Sequence, residues 1–345
     1  MKALIQKLQR RSDLNAGDIR YAVTMLLNET VAAAEKATFL TALHQKGESA
    51  EEIAGFVEQL VDRAIDPGID QASLPGPMLD VCGTGGDGLD LFNVSTTIMF
   101  ILAAGGAVVV KHGNRRVTSC CGSADVLEAL GIELIWPPEK LKECVERLGL
   151  GFVFARYYHP AFGALAEMRA QLAEQRTTTI FNLLGPLLNP ARPKHQLIGV
   201  YTPRMTAVFA EVLRRLGCAR AWVVHGLADT GAGMDDISIG GATTLAELAG
   251  GKISSAVLDC RWLGIPAGKL EDLRGGDAAE NARTLVGILS GDVRGAKRDL
   301  AVANAAGAFV AAGLAREMTA GIALATEQID NGGALRKLRA FQEFA

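Results

Sequence analysis

The sequence is short of several features that would narrow its class. Its six cysteines include one adjacent pair, Cys120 and Cys121, and no CxxC. That excludes a disulfide-stapled framework and a cysteine zinc site, and predicts a reducing compartment. Aromatic residues make up only 6% of the 345 positions, and 35 basic against 38 acidic residues leave a formal charge of −3. With no excess of either sign, nothing global points to a nucleic-acid partner or an anionic membrane, and anion binding has to be local. The longest nearly apolar run, Ile98 to Val110, falls short of the roughly 20 residues a spanning helix needs. The opening residues, MKALIQKLQRRSDLN, carry basic side chains without an apolar stretch behind them, unlike an export signal. Together these absences predict a soluble, cytoplasmic protein. What the chain does have is 49% hydrophobic residues, enough for a large core in two domains.

Composition changes along the chain. Residues 1 to about 64 read as helices. The clearest opens at Ser49, with Glu52 three positions on as a capping box, followed by Ile53, Phe56, Val57, Leu60 and Val61 on one face. Ile19, Val23, Leu26 and Leu27 repeat that spacing earlier. DPGIDQASLPGP, from Asp66 to Pro77, concentrates proline and glycine and is the expected interdomain linker. Beyond it, MLDVC, AVVVKH, ELIW, GFVFA, QLIGVY, AWVVHG and SSAVLD are strand candidates. They alternate with helical stretches such as PEKLKECVERLG and TPRMTAVFAEVLRRLG, the latter with Thr202 as N-cap and Pro203 at its first position. Residues after about 276 return to helical composition. The pattern predicts an α/β fold: a small all-helical N-terminal domain and a larger domain with a mostly parallel sheet covered by helices. In such sheets ligands bind beyond the carboxyl ends of the strands.

Three clusters fall at those ends. GTGGDG, residues 83–88 after MLDVC, lets the backbone approach a ligand, and the helix expected to open near Asn93 to Thr96 adds its positive end and the side chains of Asn93, Ser95 and Thr96. Such a loop is either an ordinary strand-to-helix turn or an anion cradle, and its own residues do not decide; it has no Walker lysine. KHGNRR, residues 111–116, ends AVVV with three cations, a histidine and an amide; alone it is equally a solvated basic loop. GMDDIS, residues 233–238, places Asp235 and Asp236 after AWVVHG, a turn by itself but, beside the other two, the oxygen ligands a magnesium-bound diphosphate calls for. Arg169, on the helix after YYHP, is a candidate for a substrate carboxylate. TIFNLLGPLLNP, residues 179–190, reads as a shaped apolar wall.

Taken in order, GTGGDG with its FNVST tail, KHGNR followed by SADVLEALG, YHPA, FNLLGPLLNPARP and GMD resemble the anthranilate phosphoribosyltransferase family over essentially the whole chain. The resemblance implies a helical domain of residues 1–72, joined by helices near 165–190, hinged to an α/β domain of residues 73–345. It also implies a homodimer and Mg2+-dependent transfer of phosphoribose from 5-phosphoribosyl-1-pyrophosphate to anthranilate in tryptophan biosynthesis. Carried over by matching motif, Gly83, Gly85, Gly86, Asp87, Asn93, Ser95, Thr96, Lys111 and Ser119 would hold the phosphoribosyl pyrophosphate. Gly83, His112, Asn114, His159 and Arg169 would line the anthranilate path, and Ser95, Asp235 and Asp236 would meet magnesium. No acid/base or nucleophile is implied.

The chain departs from the family pattern at three places: Asp236 stands where glutamate is usual, Thr178 where arginine is common, with Arg176 nearby, and Cys120-Cys121 where a polar pair is expected. The competing readings are a same-fold transferase acting on another amine or a nucleoside, and a non-catalytic nucleic-acid-binding relative.

Overall fold

A computed structural model of the chain describes residues 1–115, 121–174 and 177–345. Four helices open it: α1 (Lys2–Gln9), α2 (Ala16–Leu27), α3 (Ala33–Lys46) and α4 (Ala50–Val61). Asn15 and Ser49 close capping boxes with Asp18 and Glu52 at the starts of α2 and α4. The apolar stripes read from the sequence are buried: Ile19, Val23 and Leu26 on α2 against Ile53, Phe56, Val57 and Leu60 on α4.

The larger body runs β1 (Met78–Gly83), α5 (Val94–Ala104), β2 (Val108–Gly113), α6 (Ser123–Ala129), α7 (Pro138–Leu148), β3 (Leu150–Phe154), α8 (Ala155–Tyr158), α9 (Ala166–Glu174), α10 (Phe181–Leu184), β4 (His195–Gly199), α11 (Arg204–Arg215), β5 (Arg220–Leu227), β6 (Gly233–Met234), β7 (Thr243–Ala249) and β8 (Lys252–Leu258). It closes with α12 (Leu270–Leu273), α13 (Ala278–Ser290), α14 (Ala296–Ala311), α15 (Met318–Asp330) and α16 (Gly333–Phe344). The sheet order is β3-β2-β1-β4-β5-β7-β8, with β6 paired to β5. The first five strands are parallel, while β6, β7 and β8 join antiparallel.

Alternate residues of the central strands feed two cores. Leu197, Trp222, Val224 and Leu245 face α5 and the C-terminal helices, whereas Ile198, Ala221, Val223 and Leu248 face α11 and the helical bundle. The second core also takes in Leu165, Met168, Leu172, Leu183 and Leu184, so α9 and α10 pack with the bundle although they follow β3 in sequence. Apolar on every side, α5 is buried throughout from Thr96 to Ala103. Among the described residues no helix is long and apolar enough to cross a membrane.

Two local expectations are corrected, and one strand that the pattern did not single out is present. ELIW is not a strand: residues 133–136 run as an irregular segment into Pro137 and α7, with Trp136 O held by Tyr158 Oη at 3.1 Å. Among the described residues β3 is the sheet edge and pairs only with β2. The helix after QLIGVY begins at Arg204, one residue later than expected; Pro203 precedes it, Thr202 does not cap it, and Thr206 Oγ1 instead donates to Pro203 O at 2.8 Å. TTLAELA, rich in helix formers, is β7, because tertiary pairing with β5 and β8 overrides propensity.

Candidate active site

The carboxyl ends of β1, β4 and β5 form a shelf, and the segment carrying Asp235 and Asp236 lies across it. Glycine at two strand ends makes the approach possible. A methyl on Gly83 would overlap the Asp235 carboxylate, and one on Gly199 would overlap the Asp235 backbone carbonyl. Asp235 Oδ2 then accepts the Gly85 N–H at 2.7 Å, tying the acid to the glycine loop. From below, Asn304 on α14 holds the next residue with both ends of its amide. Its Oδ1 accepts the Ile237 N–H at 2.8 Å, and its Nδ2 donates to Ile237 O and Leu300 O, each at 2.9 Å.

The glycine loop takes the backbone that its composition foreshadows: Gly85, Gly86 and Gly88 have φ of 66°, 84° and 70°, open to glycine without strain. Asp87 is half-buried beside Asp235. Asn93 flanks the first turn of α5 without capping it; its Nδ2 donates to Cys121 O at 3.2 Å, and its Oδ1 and the Thr96 hydroxyl are buried without a hydrogen-bond partner. Lys111, within the second half of β2 and 2% exposed, donates to Val81 O at 2.6 Å and Ser95 Oγ at 3.1 Å. It thereby ties β1, just before the glycine loop, and the first turn of α5 to β2 in one corner.

The electrostatics of that corner are unbalanced. Asp235 and Asp236 keep some surface open to solvent, but protein packed around them makes their charge costly. Desolvation, followed by repulsion from Asp87, pushes Asp235 up to about 7. Desolvation and the neighbouring Asp235 and Asp87 drive Asp236 well above the carboxylate range, with Lys111 opposing. Among the described residues no three His, Cys, Asp or Glu side chains close on a metal-sized point. The donor set nevertheless fits a hard cation: it is all oxygen, it contains an acid pair in mutual repulsion, and the Ser95 hydroxyl stands opposite. A partial protein shell of this kind suits Mg2+, which keeps water or phosphate oxygens among its ligands.

Beside the anionic corner lies an aromatic one. The His112 and His159 rings meet edge to face at 5.3 Å, and Phe162 stacks on His159 at 5.0 Å. His159 Nε2 donates to Leu188 O at 2.9 Å, and His112 Nδ1 donates to Gly185 O at 3.2 Å, so the TIFNLLGPLLNP wall fixes both rings. With Nδ1 so engaged, the buried Nε2 of His112 carries a lone pair and has no partner. Burial, reinforced by His159, pushes His112 down to about 3 and keeps it neutral. The backbone under His112 is set by Asp80, whose Oδ1 accepts the His112 N–H at 3.2 Å and whose Oδ2 accepts Asn189 Nδ2 at 2.9 Å.

The remaining expected residues are more scattered. Asn114 sits at the outer end of β2, accepting the Arg115 N–H through its own side chain at 2.8 Å and the Ala124 N–H through its carbonyl at 3.2 Å. Arg169 on α9 is half-buried and has no carboxylate partner among the described residues; burial and then Arg156 lower its pKa. Thr178 is exposed. Cys121 is buried. Ser119, Cys120, Arg116 and Arg176 lie outside the described residues. Gly199, Asn304, Asp80, Asn189 and Phe162 were not anticipated as site residues. A glycine closing the strand QLIG was the available signal for Gly199, and an acid inside the apolar run MLDVC was the signal for Asp80.

Family models now bear on the same two bodies. One described as "Glycosyl transferase family, helical bundle domain" matches residues 2–64, and one described as "Glycosyl transferase family, a/b domain" matches residues 75–335. Fold and site thus define a glycosyl transferase of the bundle-plus-α/β class.

Within that class, curated relatives carry one name. An anthranilate phosphoribosyltransferase of Anaeromyxobacter sp. (strain K) is 42% identical over 97% of this chain and 96% of its own length. One from Natronomonas pharaonis is 41% identical over 100% and 99%. The crystal structure of the Thermus thermophilus anthranilate phosphoribosyltransferase superposes with a TM-score of 0.89 at 37% identity, over 99% of this chain and 98% of that one. A Saccharomyces cerevisiae anthranilate phosphoribosyltransferase in complex with PRPP and Mg has a TM-score of 0.87 at 26% identity, over 99% and 96%. The chain belongs to the anthranilate phosphoribosyltransferase family.

Proposed function

We propose that this chain transfers the phosphoribosyl group of 5-phosphoribosyl-1-pyrophosphate to the amine of anthranilate, giving N-(5-phosphoribosyl)anthranilate and diphosphate. The observation that carries the reading is the Asp235-Asp236 pair held across the glycine-closed strand ends, with Gly85 N–H and Lys111 in the same corner. The loop from Gly83 to Asp87, with Asn93, Ser95, Thr96, Lys111 and Ser119, binds the phosphoribosyl pyrophosphate. Gly83, His112, Asn114, His159 and Arg169 line the path of anthranilate. Asp235, Asp236 and Ser95 would hold Mg2+, which when bound neutralises charge on the leaving diphosphate.

The chain's own residues do the rest by position. Backbone N–H groups of the glycine loop beyond Gly85, whose own N–H goes to Asp235, would meet the diphosphate oxygens and stabilise charge as it develops there. Buried Thr96 Oγ1, unpartnered in the protein, can donate to phosphate, and the equally unpartnered Asn93 Oδ1 can accept from a ribose hydroxyl. Arg169, free of a carboxylate partner among the described residues, receives the anthranilate carboxylate bidentately. His112 is too weak a base to take a proton from the amine, so its role is to accept an N–H at Nε2 and aim the nitrogen lone pair at C1 of the ribose. An arylamine is uncharged at neutral pH and needs no activation beyond that orientation; as its nitrogen bonds to C1 and the C1–O bond to diphosphate breaks, the strongly acidic anilinium sheds its proton to the departing diphosphate or to solvent. Residues 1–72, joined by the helices near 165–190, and the rest of the α/β domain within 73–345 act as two bodies that close over the substrates and keep water from the activated ribose. Homodimeric assembly and a cytoplasmic location are part of the same proposal.

Anthranilate fluorescence is expected to fall only when phosphoribosyl pyrophosphate and Mg2+ are both present, and Asp235→Asn to slow that fall by orders of magnitude with an unchanged circular dichroism spectrum. A normal rate in the variant would overturn the assignment.

A further inference from the structure

At the opposite, amino-terminal end of the sheet a cavity of about 160 Å³ opens between the second half of α4, the turn leading into β4 and the last turn of α11. Gly199 ends β4 at the catalytic shelf, whereas Gln196, near the start of that strand, lines this cavity. Of the residues that build the catalytic site, only Asn189 also lines it, and its amide is already engaged by Asp80, Val110 O and the Ala191 N–H. Its walls come from both bodies: Val57 and Val61 from the bundle, Leu187, Leu213 and Leu216 from the α/β side. Gln196 is 6% exposed, and its Oε1 is buried with no hydrogen-bond partner. Its neighbours in register do not need it. Both oxygens of Asp80 on β1 are taken by His112 and Asn189, and on β5 the partner is Ala221.

An unpaired buried acceptor is costly, and an apolar side chain of the same shape would spare that cost. We propose that the cavity is a second small-molecule site, taking a single aromatic ring that bears one O–H or N–H donor for Gln196 Oε1. Size sets the ring: a cavity of about 150 Å³ with aliphatic walls admits one benzene, and a liquid-water share is only about 30 Å³. Charge at the mouth sets the rest. Lys194 and Glu58 stand there with opposite signs, while Arg192 is paired to Asp62 at 2.6 Å. The ligand is therefore uncharged overall, or zwitterionic, rather than a net anion like the reaction's substrates.

Ligand-observed 19F NMR on the full chain tests this with two probes of one shape, 4-fluorophenol and 4-fluorotoluene. The phenol is expected to bind about tenfold more tightly, the worth of one buried hydrogen bond. Gln196→Leu is expected to erase that preference without lowering Tm, since it removes an unsatisfied acceptor. Leu216→Trp, at the half-exposed rim, is expected to block both probes. Equal binding of the two probes to the unaltered chain, or no binding of either, would overturn the proposal, the latter leaving a water-filled void. So would phenol binding that survives both substitutions, which would place it elsewhere, for example between His112 and Phe162. A fall in Tm for Gln196→Leu would give the glutamine a structural role and overturn it as well.

Discussion

Gly199→Ala should disable the enzyme while leaving it folded. The added methyl would overlap the carbonyl of Asp235 and lie 3.0 Å from its Cα, whereas ordinary contact begins at 3.4 Å. These are backbone atoms, so no rotamer relieves the overlap, and the Asp235-Asp236 segment must retreat by an ångström or more. Gly199 is buried at the end of β4 and the overlap is with the Asp235 segment, so the cost in stability is that of overpacking, about 1–3 kcal/mol. The cost in rate is larger: misplacing reacting groups by about 1 Å is worth roughly 10²-fold. We therefore expect kcat/KM in the anthranilate fluorescence assay to fall by about 10²-fold or more, with the apparent Mg2+ requirement raised and Tm lowered by a few degrees. Gly163→Ala is the control, because nothing lies within 4 Å of the added methyl there. If Gly199→Ala kept both its rate and its Mg2+ dependence, the acid pair would not owe its position to the strand end.

Lys111→Met removes the cation that opposes the accumulated charge of Asp80 and Asp236 and that bonds Val81 O and Ser95 Oγ; turnover should drop by about 10²–10³-fold, measured with phosphoribosyl pyrophosphate varied. Asn304→Leu strands the N–H and C=O of Ile237, so urea denaturation should show a loss of about 2–5 kcal/mol, together with a raised Mg2+ requirement that simple destabilisation elsewhere would not produce. Asp80 gives a pH signature. Burial raises it from 3.8 to about 6 in the fold, so its contribution favours the folded state below about pH 4 and is lost as pH rises through 6. His112, held down to about 3 against 6.5 unfolded, works the other way, costing stability as pH falls below 6.5. Because the two oppose each other, the test is a difference: Asp80→Asn should flatten its own part of the profile, so that stability relative to the unaltered chain improves between pH 4.5 and pH 7. A parallel shift at both pH values would mean that Asp80 is not the group titrating.

Much of this could be read from residues alone because it depends on local chemistry. The capping boxes at Asn15 and Ser49, the apolar faces of α2 and α4 and the parallel strands MLDVC, AVVVKH, GFVFA, QLIGVY and AWVVHG all follow from short-range pattern. Where the pattern was silent or misled, a distant contact decided: TTLAELA is a strand because β5 and β8 flank it, and ELIW is not one because β3 takes no outer partner among the described residues. The site divides in the same way. GTGGDG and the paired aspartates announce themselves through their residue types, but nothing near Asn304 in sequence says that its amide will hold Ile237 across 67 positions.

The glycines show why family motifs and physical reading converge at this shelf. Gly83 and Gly199 are separated by more than a hundred residues and share no local motif, yet each closes an apolar parallel strand at the same register, paired Cα to Cα. A side chain at either would expel the segment that carries Asp235. The acid pair can therefore approach the backbone N–H of Gly85 only where two neighbouring strands both end in glycine. Once there, it is desolvated enough that Asp236 resists ionising, a cost that has no structural return in the free protein. Residues that raise the free energy of the fold to concentrate negative charge beside a loop built for phosphate make sense only if a cation comes with that phosphate. Asp236 has one methylene fewer than a glutamate would, so on the proposed reading it would leave room for a water between its carboxylate and a cation bound there.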